Sequence, residues 1–159
     1  RWVEECYRSY STITNVGEEK NTMNTETAAR ENGSKKSVLL MDDDKFLLDM
    51  YSMKFTAAGF VVHACLSVKE ALETLRSGFQ ADALVFDLVM PEWDGFSFLQ
   101  ALEAEHLAPN AIKIALTNQG NDEEKAKAES LGVSRYIVKA SMIPSEVVEA
   151  VGQELTKKR

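Results

Sequence analysis

From Ser37 onward, short apolar runs alternate with amphipathic stretches, and this rhythm restricts the possible folds more than any other feature of the sequence. Val38-Leu39-Leu40-Met41 is a continuous apolar run that ends in Asp42-Asp43-Asp44, the pattern of a strand buried on both faces. Residues 45–58 then place Leu47, Leu48, Tyr51 and Phe55 three and four apart, and Gly59 stands where helices commonly stop. Phe60 to Cys65 reads as a second strand. Ser67 can cap a helix running through Ala71, Leu72 and Leu75 to Gly78, and Ala83 to Asp87 is a third strand. A third helix is predicted over roughly 95–106, and Ile112 to Leu116 is a fourth strand. Asn121 followed by Glu124 resembles the start of a capping box, opening a fourth helix that ends at Gly132. Tyr136-Ile137-Val138 is the fifth strand. Pro144 suits the first turn of a last helix whose apolar stripe is Val147, Val148, Val151 and Leu155.

Five βα units imply right-handed crossovers and a parallel sheet covered by helices on both faces. The expected class is therefore α/β, a doubly wound three-layer sandwich with five strands and five helices. A closed barrel of eight βα units would need roughly 250 residues and is excluded by a chain of 159. Ligands of open α/β sheets bind outside the carboxyl ends of the strands, so the chemistry is to be sought there.

Residues 1–36 differ from the rest of the chain. Their acids and bases cancel, so the remainder carries the whole net charge of −7. After Val16 they hold almost nothing apolar, as expected of a disordered leader ahead of a folded unit over 37–156, with a short basic tail at 157–159. The sequence begins with Arg1, and Met23 is a candidate start; the segment lacks the apolar stretch of a secretory signal. The acidic balance argues against direct nucleic-acid binding. Apolar runs such as Val38 to Met41 and Ala83 to Phe86 fall far short of the roughly 20 residues that span a bilayer, so no membrane partner is expected. Cys6 and Cys65 form neither a disulfide framework nor a zinc pattern, which fits a reducing, cytoplasmic setting; Cys65 is expected in the core.

The strand ends are unusually acidic. Asp42 and Asp43, with Asp44 beyond, follow the first strand, and Asp87 ends the third. Carboxylates that converge without compensation repel and raise one another's pKa, so a hard cation is expected among them. Magnesium suits two carboxylates, a main-chain carbonyl and water, with a position left for a phosphoryl oxygen. Thr117 adds a hydroxyl at the fourth strand end and Lys139 a cation at the fifth. Together these groups are the set needed to hold a phosphoryl group.

The stretch Asp87-Leu88-Val89-Met90-Pro91-Glu92-Trp93-Asp94-Gly95 resembles the D-x-x-M-P-x-x-D-G signature of two-component response regulator receiver domains. Asp42-Asp43 after an apolar strand, Thr117 ending the next-to-last strand, and Tyr136-Ile137-Val138-Lys139 at the last are similar to that family in type, order and spacing. The resemblance covers about residues 37–156. It implies a flavodoxin-like fold with strand order 2-1-3-4-5, the order of the family's chemotaxis member. It also implies that Asp87 accepts a phosphoryl group from a sensor histidine kinase or a histidine phosphotransfer protein. By the same resemblance Asp43, Asp87 and the main-chain carbonyl of Val89 ligate Mg2+, with Asp42 acting through a bound water. Lys139 pairs with the phosphoryl group, the Thr117 hydroxyl moves to bond it, and Tyr136 follows as the aromatic switch. The surface around the fourth helix, fifth strand and last helix then changes partner, with output in trans and phosphorylation-dependent homodimerisation open. Such a module is not an enzyme beyond catalysing its own phosphorylation and dephosphorylation.

The sequence departs from the family pattern at two positions. Ala140 follows Lys139 where the family has a proline after a cis bond, and a non-proline cis bond costs about 3 kcal/mol. Asn118 stands where a smaller residue is usual, and with Val89 and Gln119 it is expected to set the lifetime of the phosphate. These departures keep a second reading open, a degenerate receiver acting as a constitutive protein-binding module. A phosphohydrolase of the haloacid-dehalogenase type would need a second Asp where Val89 stands, and no nucleotide-binding glycine motif is present. Taken singly, Asp94-Gly95 reads as a plain turn, Trp93 as either packing or a partner contact, and His63 and His106 as residues without a partner in the sequence.

Overall fold

The computed structural model describes residues 34–158. The leader expected over 1–36 lies outside the described residues as far as residue 33, as do Met23, Cys6 and Arg159 of the basic tail. Five strands alternate with five helices: β1 Ser37–Met41, α1 Lys45–Ala57, β2 Val61–Cys65, α2 Val68–Arg76, β3 Ala83–Asp87, α3 Gly95–Ala104, β4 Ile112–Thr117, α4 Asp122–Ser130, β5 Arg135–Val138 and α5 Pro144–Lys157. All four strand pairings are parallel, and the order across the sheet is β2-β1-β3-β4-β5. The parallel doubly wound sheet is the one expected from the rhythm of the sequence, and its flavodoxin-like strand order is the one the resemblance implies.

Alternate residues of each central strand feed two apolar layers. Leu39, Met41, Leu84, Phe86 and Ala115 pack beneath α2, α3 and the single buried residue of α4, Ala128. Val38, Leu40, Val85, Ile114 and Leu116 pack beneath α1 and α5 through Phe55, Val147 and Val151. Strand β3 lies in the middle of the sheet and is buried throughout, so Asp87 stands at the end of a strand packed on both faces. Cys65 is in the core, and burial pushes its thiol up to about 11.

The ends of the elements follow local chemistry. Gly59, Gly78 and Gly132 take positive φ just beyond α1, α2 and α4, the left-handed conformation that closes a helix without a Cβ penalty. Ser67 caps α2 by accepting the Glu70 amide, and Asn121 caps α4 by accepting that of Glu124. Two predicted boundaries shift. Phe60 lies outside β2 because its amide closes α1 on the carbonyl of Phe55, whose ring it meets edge-on at 5.4 Å. Helix α3 stops at Ala104 rather than 106, because His106 takes a positive φ of 53° and its amide bonds back to Glu103.

Candidate functional site

At the carboxyl edge of the sheet the chain must leave each strand and enter a helix, and these turns place the polar side chains. After β1, Asp44 caps α1 by accepting the amides of Phe46 and Leu47 at 3.0 and 3.2 Å, which commits it to the helix. Asp42 turns inward, 3 % exposed, and its Oδ1 accepts the amide of Asp44 at 2.9 Å. Asp43, between them, is exposed. The carboxylates of Asp42, Asp43 and Asp87 offer ligand atoms within 4.8 Å of one another, so these three, and not Asp44, form the acidic cluster.

Asp87 is 2 % exposed. Its Oδ1 accepts the amide of Val89 at 2.9 Å and its Oδ2 the ammonium of Lys139 at 2.9 Å. The Val89 bond folds the chain back over the strand end and keeps residue 89 beside the carboxylate, while its side chain is exposed. The Asp94-Gly95 pair is more than a plain turn. Asp94 caps α3 through the Ser97 amide at 2.8 Å, and a Cβ on Gly95 would stand 2.7 Å from the Asp87 carbonyl oxygen and 2.8 Å from Leu88 Cα. The spacing of the signature thus fixes how α3 begins against the backbone of the residue that carries the carboxylate.

Lys139 follows β5 and opens a single 3-10 turn, Lys139–Ser141, in place of the bend that a cis-proline would make; no cis peptide bond occurs among the described residues. Its ammonium nonetheless enters the cluster, 2.6 Å from Asp42 Oδ2 as well as bonded to Asp87, and the residue is 4 % exposed. Burial alone would push the Lys139 pKa down; the charges and hydrogen bonds of Asp42 and Asp87 outweigh it and hold the ammonium above the ordinary lysine value. Burial pushes the Asp42 carboxyl up, with Lys139 pulling it back. Three carboxylates against one ammonium leave two negative charges at the site, which is the deficit a divalent cation matches.

Thr117 ends β4 beside this cluster, 1 % exposed, and its hydroxyl donates to the Gln119 carbonyl at 3.1 Å. Asn118 and Gln119 are exposed next to it. Tyr136 lies on β5, half-buried against the α2–α3 side of the core, and its hydroxyl donates to Glu124 Oε2 at 3.2 Å. The Glu124 side chain therefore turns to β5 instead of completing the capping box with Asn121. Burial pushes the Tyr136 phenol up, and the charge of Glu124 adds to the rise.

The structure brings Asp42, Asp43, Asp87 and Lys139 into one cluster, with Val89 and Thr117 on its border, and sets Tyr136 a strand away. Sequence reasoning missed the close approach at Gly95 and the turn of Glu124 toward Tyr136; the D-G pair signalled the first, and nothing local signalled the second. Trp93 is 57 % exposed and lines a groove of about 410 Å3 with Val68, Leu72 and Pro91. His63 bonds Thr74 through its Nε2 at 3.2 Å and rests against the Phe79 ring, away from the cluster. No helix among the described residues is long and apolar enough to cross a membrane.

A doubly wound sheet with this acidic cluster and lysine at its carboxyl edge defines the receiver class of signalling module. Residues 38–151 match the response regulator receiver domain model, and the chain belongs to that family, the receiver of two-component signalling. It is 29 % identical over 120 residues to the regulatory protein VanRc of Enterococcus gallinarum, covering 76 % of this chain and 50 % of that one. It is 28 % identical over 120 residues, with the same coverage, to the response regulator SaeR of Staphylococcus aureus. The chain thus spans about half the length of the curated relatives it matches. Among solved structures, a CheY-like response regulator receiver domain protein from Methanospirillum hungatei superposes with a TM-score of 0.71 at 26 % identity, covering 79 % of this chain and 97 % of that one. The receiver domain of the Francisella response regulator 1452 superposes with a TM-score of 0.70 at 26 % identity, covering 79 % of this chain and 100 % of that one.

Proposed function

We propose that Asp87 is a phosphoacceptor, taking a phosphoryl group from a phosphohistidine on a sensor histidine kinase or a histidine phosphotransfer protein. The observation that supports this most directly is the buried Asp87 carboxylate, met by Lys139 at 2.9 Å inside a cluster with Asp42 and Asp43. In the transfer a carboxylate oxygen of Asp87 forms a bond to phosphorus as the phosphorus–nitrogen bond breaks and the electron pair leaves with the imidazole. Mg2+ would be held by Asp43, Asp87 and the Val89 carbonyl, with Asp42 through water, and would supply charge neutralisation for the phosphoryl oxygens. Lys139, 2.9 Å from Asp87 Oδ2, would pair with a phosphoryl oxygen carried by Asp87. The buried central strand β3 supplies positioning, which is much of what a protein contributes to phosphoryl transfer.

The acyl phosphate adds nearly two negative charges and three acceptors beside Thr117. Its hydroxyl, bonded to Gln119 in the unphosphorylated protein, is the group free to exchange that partner for the phosphoryl oxygen. The move changes the surface of α4, β5 and α5, through Tyr136, and so the affinity for a downstream protein or for a second copy. We place this activity in the cytoplasm, as a signalling step and not as enzymatic turnover.

Intact-protein mass after incubation with acetyl phosphate and magnesium tests the reading. One added phosphoryl group in the wild type, absent in Asp87→Asn and without free magnesium, is expected. No addition under any condition, with beryllofluoride also failing to bind, would overturn it in favour of a constitutive binding module.

A further inference from the structure

Helix α4 is held to the domain by very little. Of Asp122–Ser130 only Ala128 is buried; Glu124 is half-buried and the rest are exposed. The Lys127 ammonium lies 4.1 Å over the Phe96 ring, an interaction on the solvent side. Nearly every other helix is anchored by several apolar side chains, so α4 depends on polar contacts to an unusual degree.

One of those contacts is out of pattern. Asn121 accepts the Glu124 amide at 2.7 Å, and in a capping box the glutamate carboxylate would return to the Asn121 amide. The Glu124 carboxylate instead accepts the Tyr136 hydroxyl at 3.2 Å, joining the first turn of α4 to β5. The loop between them runs directly on β5, because a Cβ on Gly120 would stand 2.7 Å from Val138 Cγ2 and 3.9 Å from the Tyr136 ring. Thr117 pairs with Val138 across the sheet. Two hydroxyls are thus fastened to one short loop: Thr117 bonds Gln119, and the Tyr136 hydroxyl, bonded to Glu124, also meets the Asn121 backbone and the Thr117 hydroxyl.

We propose that Glu124 is a positioning residue for the switch, its carboxylate holding the Tyr136 ring against the β4–α4 loop and fastening α4 to β5 in the unphosphorylated protein. The regulatory consequence rests on Asp87 being the phosphoacceptor. When Thr117 leaves the Gln119 carbonyl, the loop carrying Asn121 and Glu124 is released at its other end, and the Tyr136–Glu124 bond is the contact that yields. A hydrogen bond to a charged acceptor contributes more than a neutral one, so its loss is felt most in a helix with one buried residue.

The test labels the full chain with 3-fluorotyrosine, assigns the Tyr136 fluorine resonance with Tyr136→Phe, and follows amide exchange over residues 122–130. Glu124→Ala is expected to move the Tyr136 resonance and to speed α4 exchange by roughly tenfold, an opening of the helix and not of the domain. Glu124→Gln, whose amide oxygen also accepts, is expected to keep the resonance near the wild-type position. Tyr136→Phe, which removes only the hydroxyl, is expected to speed α4 exchange as Glu124→Ala does, and it carries the test if that variant fails to fold. An unmoved resonance in folded Glu124→Ala, or α4 exchange unchanged in Tyr136→Phe, would overturn the proposal. Both readouts use unphosphorylated protein. Acetyl phosphate labelling of the same samples reports on Asp87 separately, so a shifted resonance without labelling defeats the phosphoacceptor reading alone.

Discussion

Lys139 meets Asp87 at 2.9 Å although their strands are not neighbours, since β4 lies between β3 and β5. The lysine crosses the end of β4 and continues to Asp42 on the far side of β3, at 2.6 Å. One ammonium thereby ties together the ends of three strands, and it does so without the proline bend that the family uses after this lysine. Its position is set by charge: the two buried carboxylates are the nearest partners for a buried cation, and each would be costly to leave unpaired.

Replacing the ammonium by an apolar group of similar length should therefore destabilise the protein. Lys139→Met is expected to lose about 3 kcal/mol in the absence of magnesium, the usual range when one partner of a buried pair is removed. Part of that loss should return with millimolar magnesium, which restores positive charge to the cluster. Urea denaturation with and without magnesium measures both; a loss under 1 kcal/mol that ignores magnesium would contradict the charge argument.

Asp43 should behave in the opposite way. It is exposed beside the carboxylates of Asp42 and Asp87, which the Lys139 ammonium pairs with in its place, so Asp43→Ala without magnesium is expected to melt at or above the wild-type temperature. The wild type should gain about 1.4 kcal/mol when magnesium stands at ten times its dissociation constant, and the variant should gain almost nothing. Thermal melts across a magnesium series, with calcium and sodium as controls, decide the point.

Gly95 tests the coupling between fold and site. A Cβ there meets backbone atoms at 2.7 and 2.8 Å, and backbone cannot swing aside as a flexible side chain can. Gly95→Ala is expected to cost about 2 kcal/mol and to slow acetyl phosphate labelling of Asp87, because α3 must shift away from the strand end. Gly152→Ala, inside α5 where a Cβ would meet nothing within 4 Å, is the control: it should leave the labelling unchanged and stabilise the protein by about 1 kcal/mol through helix propensity.

Much of this arrangement was legible in the sequence, and the reason is period. Buried parallel strands need continuous apolar runs, amphipathic helices need three-and-four spacing, and glycine marks the helix ends that take positive φ, so elements such as β1, β3 and α5 announce themselves. His106 shows where that code fails, since a left-handed residue other than glycine leaves no compositional mark. The acidic triplet shows a second limit. Sequence places Asp42, Asp43 and Asp44 side by side, but only the backbone path decides that Asp44 caps α1 while Asp42 and Asp43 gather with Asp87. Long-range polar pairs such as Tyr136 with Glu124 lie beyond any local pattern.

Asn118 tests the rim of the site. It is exposed beside the buried Thr117, where a smaller side chain would leave more room for water. Asn118→Ala is expected to shorten the lifetime of the phosphate on Asp87 several-fold, read as the decay of phosphorylated mass after acetyl phosphate is removed. Equal decay in the two proteins would show that this side chain does not screen the acyl phosphate.

At the opposite edge of the sheet, Asp82 closes the entry to β3 on that of β1. Its carboxylate accepts the Ser37 amide at 2.9 Å, the Ser37 hydroxyl at 3.2 Å and the Lys36 ammonium at 3.2 Å. Partial burial pushes its pKa up, but the Ser37 bonds and Lys36 outweigh this and hold it below the ordinary carboxylate value. A carboxyl lowered in the folded state binds its proton less readily there than in the unfolded chain. Its contribution to stability is therefore complete above the unfolded value of about 3.9 and is lost as pH falls through the lower folded value. The difference in unfolding free energy between the wild type and Asp82→Asn should stay constant from pH 7 to about pH 5 and shrink below pH 4. A difference that held steady down to pH 3 would mean that the ionised carboxylate contributes nothing to joining the two strands.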